Sequence, residues 1–265
     1  MLSPAGTTVL AACLLAAMGL GLLLWAWLAW RSTEYHLGQL PLYLYCQIMA
    51  RVVWRTEVSS PLPIPSGQGA ILVCNHRSGI DPACIALCCR RPVRWMVARE
   101  YCTSWSLGWF FRNLGCIPVN RGGIDTASTR SVIRLAQAGE LVGMFPEGRI
   151  NETDQFLLPG RPGAAMVALK AKVPVVPCYV EGTPYDGTVY GSVLMTAKAK
   201  VFIGRPIDLS PYYEREDEKE VYEELTRRFL QEIARLGGRP DYVPELAGRR
   251  WKPGQEAEPA TATQP

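Results

Sequence analysis

The residues best suited to chemistry lie in the run Asn75-His76-Arg77-Ser78-Gly79-Ile80-Asp81-Pro82, directly after the apolar stretch AILVC. On a continuous helix, positions five apart point about 140° away from each other, so a His76–Asp81 pair requires the chain to leave a strand and turn. Gly79 and the Asp81-Pro82 step supply such a turn, with Pro82 at the first helical position and Asp81 near the helix N-terminus. A carboxylate placed there holds one imidazole nitrogen protonated and leaves the other as a base toward a hydroxyl. Taken alone, an Asp-Pro pair is more often a plain helix cap, and one of only two histidines is as readily a structural residue.

Two further stretches change that balance. Gly115-Cys116-Ile117-Pro118-Val119-Asn120-Arg121-Gly122-Gly123 reads as a short strand running into a glycine-rich turn that presents Arg121, whose planar guanidinium suits a phosphate or carboxylate. LVGMFPEGRIN, from Leu141 to Asn151, is another strand ending in a turn, where Pro146 and Gly148 set the backbone around Glu147 and Arg149. A carboxylate and a guanidinium forced together at a strand end suit a polar, anionic head group, although each stretch by itself is also an ordinary surface turn.

Together, NHRSGID, GCIPVNR, FPEGR and VPVVPCYVEGT resemble the four ordered motifs of the glycerolipid acyltransferase family, over roughly residues 65 to 210. The resemblance implies transfer of a fatty acyl group from a thioester, acyl-CoA or acyl-carrier protein, to the free hydroxyl of a lysophospholipid. His76 falls on the family's general base and Asp81 on its orienting partner. Ser78, Arg121, Glu147 and Gly148 fall on the acceptor-binding motifs and Pro177 on the fourth, while Arg99 sits near a frequent family lysine. In the third motif Arg149 occupies the usual Thr position and Ile150 the usual Arg position, so the guanidinium is shifted by one residue. The favoured acceptor is 1-acylglycerol-3-phosphate, giving phosphatidic acid. The EGR-Ile variant also resembles domains that acylate lysophosphatidylethanolamine.

No cofactor, metal or nucleic acid is expected: the glycines at 122, 123 and 148 form neither a dinucleotide fingerprint nor a P-loop, and no G-x-S-x-G elbow is present. The expected chemistry is therefore direct attack, with an acyl-enzyme on Cys74 or Ser78 as the covalent alternative. A non-catalytic lipid-binding domain and a lysophospholipase or transacylase are the rival readings.

These residues need a scaffold. Beyond residue 65, short β-favouring runs alternate with helical patterns, which predicts an α/β domain with a mostly parallel central sheet flanked by helices. The expected strands are 70–74, 93–97, 116–119, 141–145, 173–180 and 198–203; a charged helix over about 214–236 closes the domain. None of the 52 charged residues precedes Arg31, and residues 8–30 form an uncharged run long enough, as a helix, to cross a bilayer. With Arg31, Arg51 and Arg55 after the run and nothing basic before it, the expectation is a single-pass membrane protein with a cytoplasmic catalytic domain.

The expected organisation is an anchor (1–35), an interfacial helix and linker (36–64), an acyltransferase domain (65–240) and a disordered tail (241–265). Residues 39–55 carry a helical pattern that fits either a membrane-surface helix or a core helix. The nine cysteines show no paired metal-ligand spacing and read as reduced thiols. Arg90, Arg91 and Arg94 are expected to be exposed.

Overall fold

The structure is a computed structural model, and it describes residues 4–31, 33–120 and 126–248. It contains a seven-stranded sheet: β1 (Glu57–Val58), β2 (Ala70–Cys74), β3 (Val93–Ala98), β4 (Ile117–Val119), β5 (Leu141–Met144), β6 (Val175–Glu181) and β7 (Lys200–Ile203). The spatial order is β1-β7-β6-β2-β5-β3-β4. Strands β2 to β6 run parallel, whereas β7 is antiparallel to β6 and carries β1 parallel on its far side. The expected α/β class and mostly parallel sheet are therefore correct, and the six expected strands agree within two residues at each end.

The α-helices among the described residues are α1 (Pro4–Arg31), α2 (Leu40–Ile48), α3 (Asp81–Ile85), α4 (Arg99–Thr103), α5 (Gly108–Asn113), α6 (Thr126–Gln137), α7 (Gly163–Ala171), α8 (Val189–Leu194) and α9 (Lys219–Leu236). The central strand β2 shows why AILVC is apolar throughout. Successive side chains of a strand point to opposite faces, so Ile71 and Val73 enter a core with α6, α7 and α9, while Ala70, Leu72 and Cys74 enter a second core with α3 and the turn after α2. Helix α9 buries Val221, Leu225, Phe229, Leu230 and Ile233 at helical spacing, which is what its alternating charged sequence presents.

The stretch from α2 to Trp54 is half in and half out. Leu42, Ala50 and Trp54 are buried against the domain, whereas Tyr45, Ile48 and Val52 are exposed, so it serves the core on one face only. The Pro-rich stretch that follows is packed down: Leu62 N–H bonds to Cys88 O at 2.9 Å, and the Arg91 guanidinium donates to the carbonyls of Pro65, Gln68 and Gly139. Arg91 is thus buried rather than exposed, because three carbonyls left over at the ends of loops converge on it. Arg94 is likewise tied to Glu140 at 3.3 Å; Arg90 is exposed. Of the tail, Gly160 N–H bonds to Glu245 O and Ala247 N–H to Gly160 O, and residues 249–265 lie outside the described residues.

All nine cysteines are free thiols. Burial pushes Cys84 and Cys88 up to about 12 and raises Cys74 and Cys178 as well.

Helix α1 includes a 23-residue stretch, Gly6–Leu28, that is long and apolar enough to cross a membrane and makes none of the domain's core.

Candidate active site

The site is built where β2 ends. Asn75 finishes the strand with its side chain: Nδ2 donates to Val180 O and Oδ1 accepts from Val180 N–H, both at 2.8 Å, so the amide extends the β2–β6 ladder past the last backbone pair. The chain then turns, and Asp81 opens α3 with its carboxylate fully buried. Oδ2 accepts from the backbone N–H groups of Arg77 and Ser78, each at 2.8 Å, and from His76 Nδ1 at 3.0 Å; Oδ1 accepts from the Thr183 hydroxyl at 2.8 Å. Four donors offset the desolvation of one buried charge, and a carboxylate that must accept fixes Nδ1 as the protonated nitrogen. The imidazole is 15% exposed, and its Nε2 makes no hydrogen bond to a described residue.

The loop after β5 wraps the same histidine. The Phe145 ring stacks on the imidazole with centroids 3.7 Å apart, and Trp95 stacks on Phe145 at 4.8 Å. Gly143 is what admits Trp95: in the β3–β5 register the two residues are partners, and a Cβ on Gly143 would lie 2.4 Å from the indole. Glu147 Oε1 accepts from His76 N–H at 2.7 Å and Oε2 from Leu158 N–H at 2.8 Å, while Asn151 N–H donates to His76 O at 2.7 Å. The histidine is therefore held by its ring, its own N–H and its own carbonyl. Burial pushes the Glu147 carboxyl up to about 7 even though the two backbone bonds favour its ionised form.

The predicted residues thus fall into different places. His76 and Asp81 are in contact. Ser78 and Glu147 are buried in the frame of the site, the serine hydroxyl donating to Pro184 O at 2.5 Å. Gly148 has φ of +71°, a backbone that favours glycine, and closes the turn with its N–H on Phe145 O. Arg149 follows it and is exposed; the Arg161 side chain passes within 3.1 Å of where a Gly148 Cβ would sit. Arg99 is exposed at the start of α4, and Pro177 is buried in β6. Arg121 lies outside the described residues. Cys74 and Ser78 are both fully buried, so neither presents a nucleophile to a substrate.

Thr183, Phe145, Trp95 and Asn75 are site residues whose individual roles the sequence reading did not assign. Thr183 and Phe145 sit inside the VEGT and FPEG runs, which marked the neighbourhood without marking the role. Arg77 is another: its guanidinium donates to Asn151 O at 3.2 Å and Thr153 O at 2.9 Å, pinning the loop that carries Asn151.

A cavity of about 500 Å³, lined almost entirely by apolar and aromatic side chains, reaches Gly79 and Ile80 of the turn between His76 and Asp81. Ile80, Ala83 and Ala86 line it on the α3 side, Trp95 and Val97 from β3, and Phe111 from α5. The indole that backs the His76–Phe145 stack is thus also a wall of this cavity.

A buried carboxylate bonded to an imidazole at the end of a parallel strand, with an apolar cavity reaching the same turn, is an arrangement suited to base-assisted transfer onto a hydroxyl. Residues 55–181 match the family model described as Acyltransferase. The 1-acyl-sn-glycerol-3-phosphate acyltransferase of Bacillus subtilis is 24% identical over 207 residues, covering 76% of this chain and all of that protein. A chloroplastic 1-acyl-sn-glycerol-3-phosphate acyltransferase of Brassica napus is 26% identical over 170 residues, covering 62% of this chain and 48% of that protein. The crystal structure of the 1-acyl-sn-glycerophosphate acyltransferase of Thermotoga maritima shares the fold, with a TM-score of 0.55 at 22% identity over 74% of this chain and 80% of that one. The family model, these relatives and the shared fold support the glycerolipid acyltransferase family, and the chain is an acyltransferase.

Proposed function

We propose that the protein moves a fatty acyl group from acyl-CoA or acyl-carrier protein to the free hydroxyl of a lysophospholipid, with 1-acylglycerol-3-phosphate as the acceptor and phosphatidic acid as the product. The observation that carries this reading is the His76–Asp81 contact of 3.0 Å, with the opposite ring nitrogen left for a substrate. His76 Nε2 takes the proton of the acceptor hydroxyl as its oxygen attacks the thioester carbonyl. The tetrahedral intermediate then collapses, the C–S bond breaks, and the thiolate leaves and recovers that proton from His76. No covalent enzyme intermediate is needed, in keeping with the burial of Cys74 and Ser78.

The apolar cavity holds the acyl chain, its α3 wall beginning at the loop that carries His76. The acceptor's phosphate faces Arg149, with Arg121 assigned to the same role by its place in the second motif. Helix α1 serves as a retained membrane anchor with the catalytic domain on the cytoplasmic side, and tethering to the surface that holds the acceptor removes a diffusional search.

Lysophosphatidylethanolamine is the second acceptor, favoured by the shifted arginine at 149. The test is a panel of lysolipids against one labelled acyl-CoA with the full chain in nanodiscs. Free thiol is expected to appear only with a lysolipid present, fastest with 1-acylglycerol-3-phosphate, and His76→Ala is expected to lower turnover at least about 10²-fold. Thiol release independent of acceptor would replace acyl transfer by thioester hydrolysis, and full activity in His76→Ala would overturn the mechanism.

A further inference from the structure

A second surface lies outside the His76–Asp81 constellation. Trp105 is 97% exposed, and Trp109, Tyr190 and Leu194 are also well exposed. They come from two separate stretches, the α4–α5 segment and α8, joined by a hydrogen bond of 2.9 Å between Ser106 Oγ and Tyr190 Oη. Trp109, Tyr190 and Leu194 also line the apolar cavity, so the patch borders it. An exposed cluster of this size and composition on a folded domain marks an interaction site.

Its neighbours say what covers it. From Tyr101 to Val119 the sequence carries one charged residue, Arg112, and from Val189 to Ala197 none, a poor match to a charged protein partner and a good one to the headgroup–acyl boundary, where Trp and Tyr concentrate. The patch is also tied to the end of α1. Trp30 Nε1 donates to Tyr35 O at 2.9 Å, Gln39 Nε2 to Asn113 O at 2.8 Å, and Asn113 Nδ2 to Trp109 O at 2.8 Å. A short relay of hydrogen bonds and a few residues of chain therefore link the last residues of the membrane-length helix to Trp109.

From this juxtaposition we propose that Trp105, Trp109, Tyr190 and Leu194 form a collar that docks the catalytic domain on the bilayer holding α1, so that the cavity opens into lipid and an acyl chain enters without crossing water. The inference rests on the membrane anchoring and acyl-binding cavity of the proposed function. It adds that the anchor alone does not orient the site: the collar does.

The full chain in nanodiscs made with brominated phosphatidylcholine tests it. Trp105→Leu removes one reporter while keeping the collar apolar, and the emission lost relative to wild type is expected to be the part that bromolipid quenches; an unquenched Trp105 component overturns the proposal. Trp105→Glu is expected to raise KM for a bilayer-embedded acceptor about tenfold with kcat unchanged, and to leave turnover of a monomeric short-chain acceptor and donor at the wild-type rate. Equal kinetics of Trp105→Glu and wild type on the bilayer, or efficient cross-linking of two copies through Trp105→Cys, overturns it. If wild type turns over neither acceptor, the acyltransferase reading fails while the quenching result still decides the docking.

Discussion

Replacing Asp81 by asparagine separates the charge of the carboxylate from its hydrogen bonds. Oδ2 accepts three donors, so the amide oxygen must take that position, which leaves the amide NH₂ facing the Thr183 hydroxyl, and that hydroxyl can turn to accept. The fold and the histidine tautomer are therefore preserved, and the stability change is expected to stay under about 1 kcal/mol. Catalysis loses the charge. At 3.0 Å the carboxylate stabilises an imidazolium by about 5 kcal/mol at an effective dielectric near 20. The neutral hydrogen bond that remains returns about 1 kcal/mol, leaving a deficit of about 4 kcal/mol, or about 10³-fold in kcat. Asp81→Ala removes the acceptor outright and strands two backbone N–H groups, at a cost of roughly 3 kcal/mol and about 6–12 °C of melting temperature. The assay is initial-rate thiol release from acyl-CoA beside a thermal melt of each variant. An Asp81→Asn protein that keeps a third of wild-type kcat, or melts as low as Asp81→Ala, would refute the assignment of Asp81 as a charge partner.

Two other perturbations follow from the site. Burial pushes Glu147 up to about 7, so the folded protein keeps a proton there that the unfolded chain releases near pH 4.5. Stability attributable to this group therefore declines as pH rises from about 4.5 to 7, by about 3 kcal/mol in all, and Glu147→Gln is expected to flatten that slope in urea melts at pH 5 and pH 8; an unchanged slope removes Glu147 as its source. Ala86 lines the apolar cavity, and Ala86→Phe is expected to shift donor preference toward shorter chains. Each methylene kept out forfeits about 0.8 kcal/mol, so four of them reverse a preference by over about a hundredfold in competition between palmitoyl-CoA and lauroyl-CoA, and an unaltered chain-length profile would place the acyl chain elsewhere.

What was legible in the sequence was what local physics determines. AILVC reads as a central strand because both its faces are buried, and α9 reads as a helix because one face is apolar and the other charged. The His76–Asp81 contact was legible for the same reason: it closes within one turn, and Gly79 and Pro82 sit where that turn needs them. By contrast, β1 is two residues in a polar, Pro-rich neighbourhood and α8 is six residues without a repeating face. Neither carries enough pattern to be distinguished from loop; β1 is defined by its pairing with β7, and α8 by a single local cap, the Thr188 hydroxyl accepting from Gly191 N–H.

The supporting residues of the site follow the same division. Glu147 reaches His76 N–H across 71 residues and Thr183 reaches Asp81 across 102, and nothing within a few residues of either encodes the distance. Their positions come from strand order, since β5 and β6 flank β2 and deliver the loops after them to the end where His76 emerges. The Trp95–Phe145–His76 stack depends on a finer quantity still, the β3–β5 register that sets Trp95 opposite Gly143. A slip of one residue would turn Trp95 to the other face of the sheet and remove at once the ring behind the Phe145–His76 stack and a wall of the cavity. The register that backs the His76 ring therefore also shapes the cavity, and a change at Gly143 acts on both through one side chain.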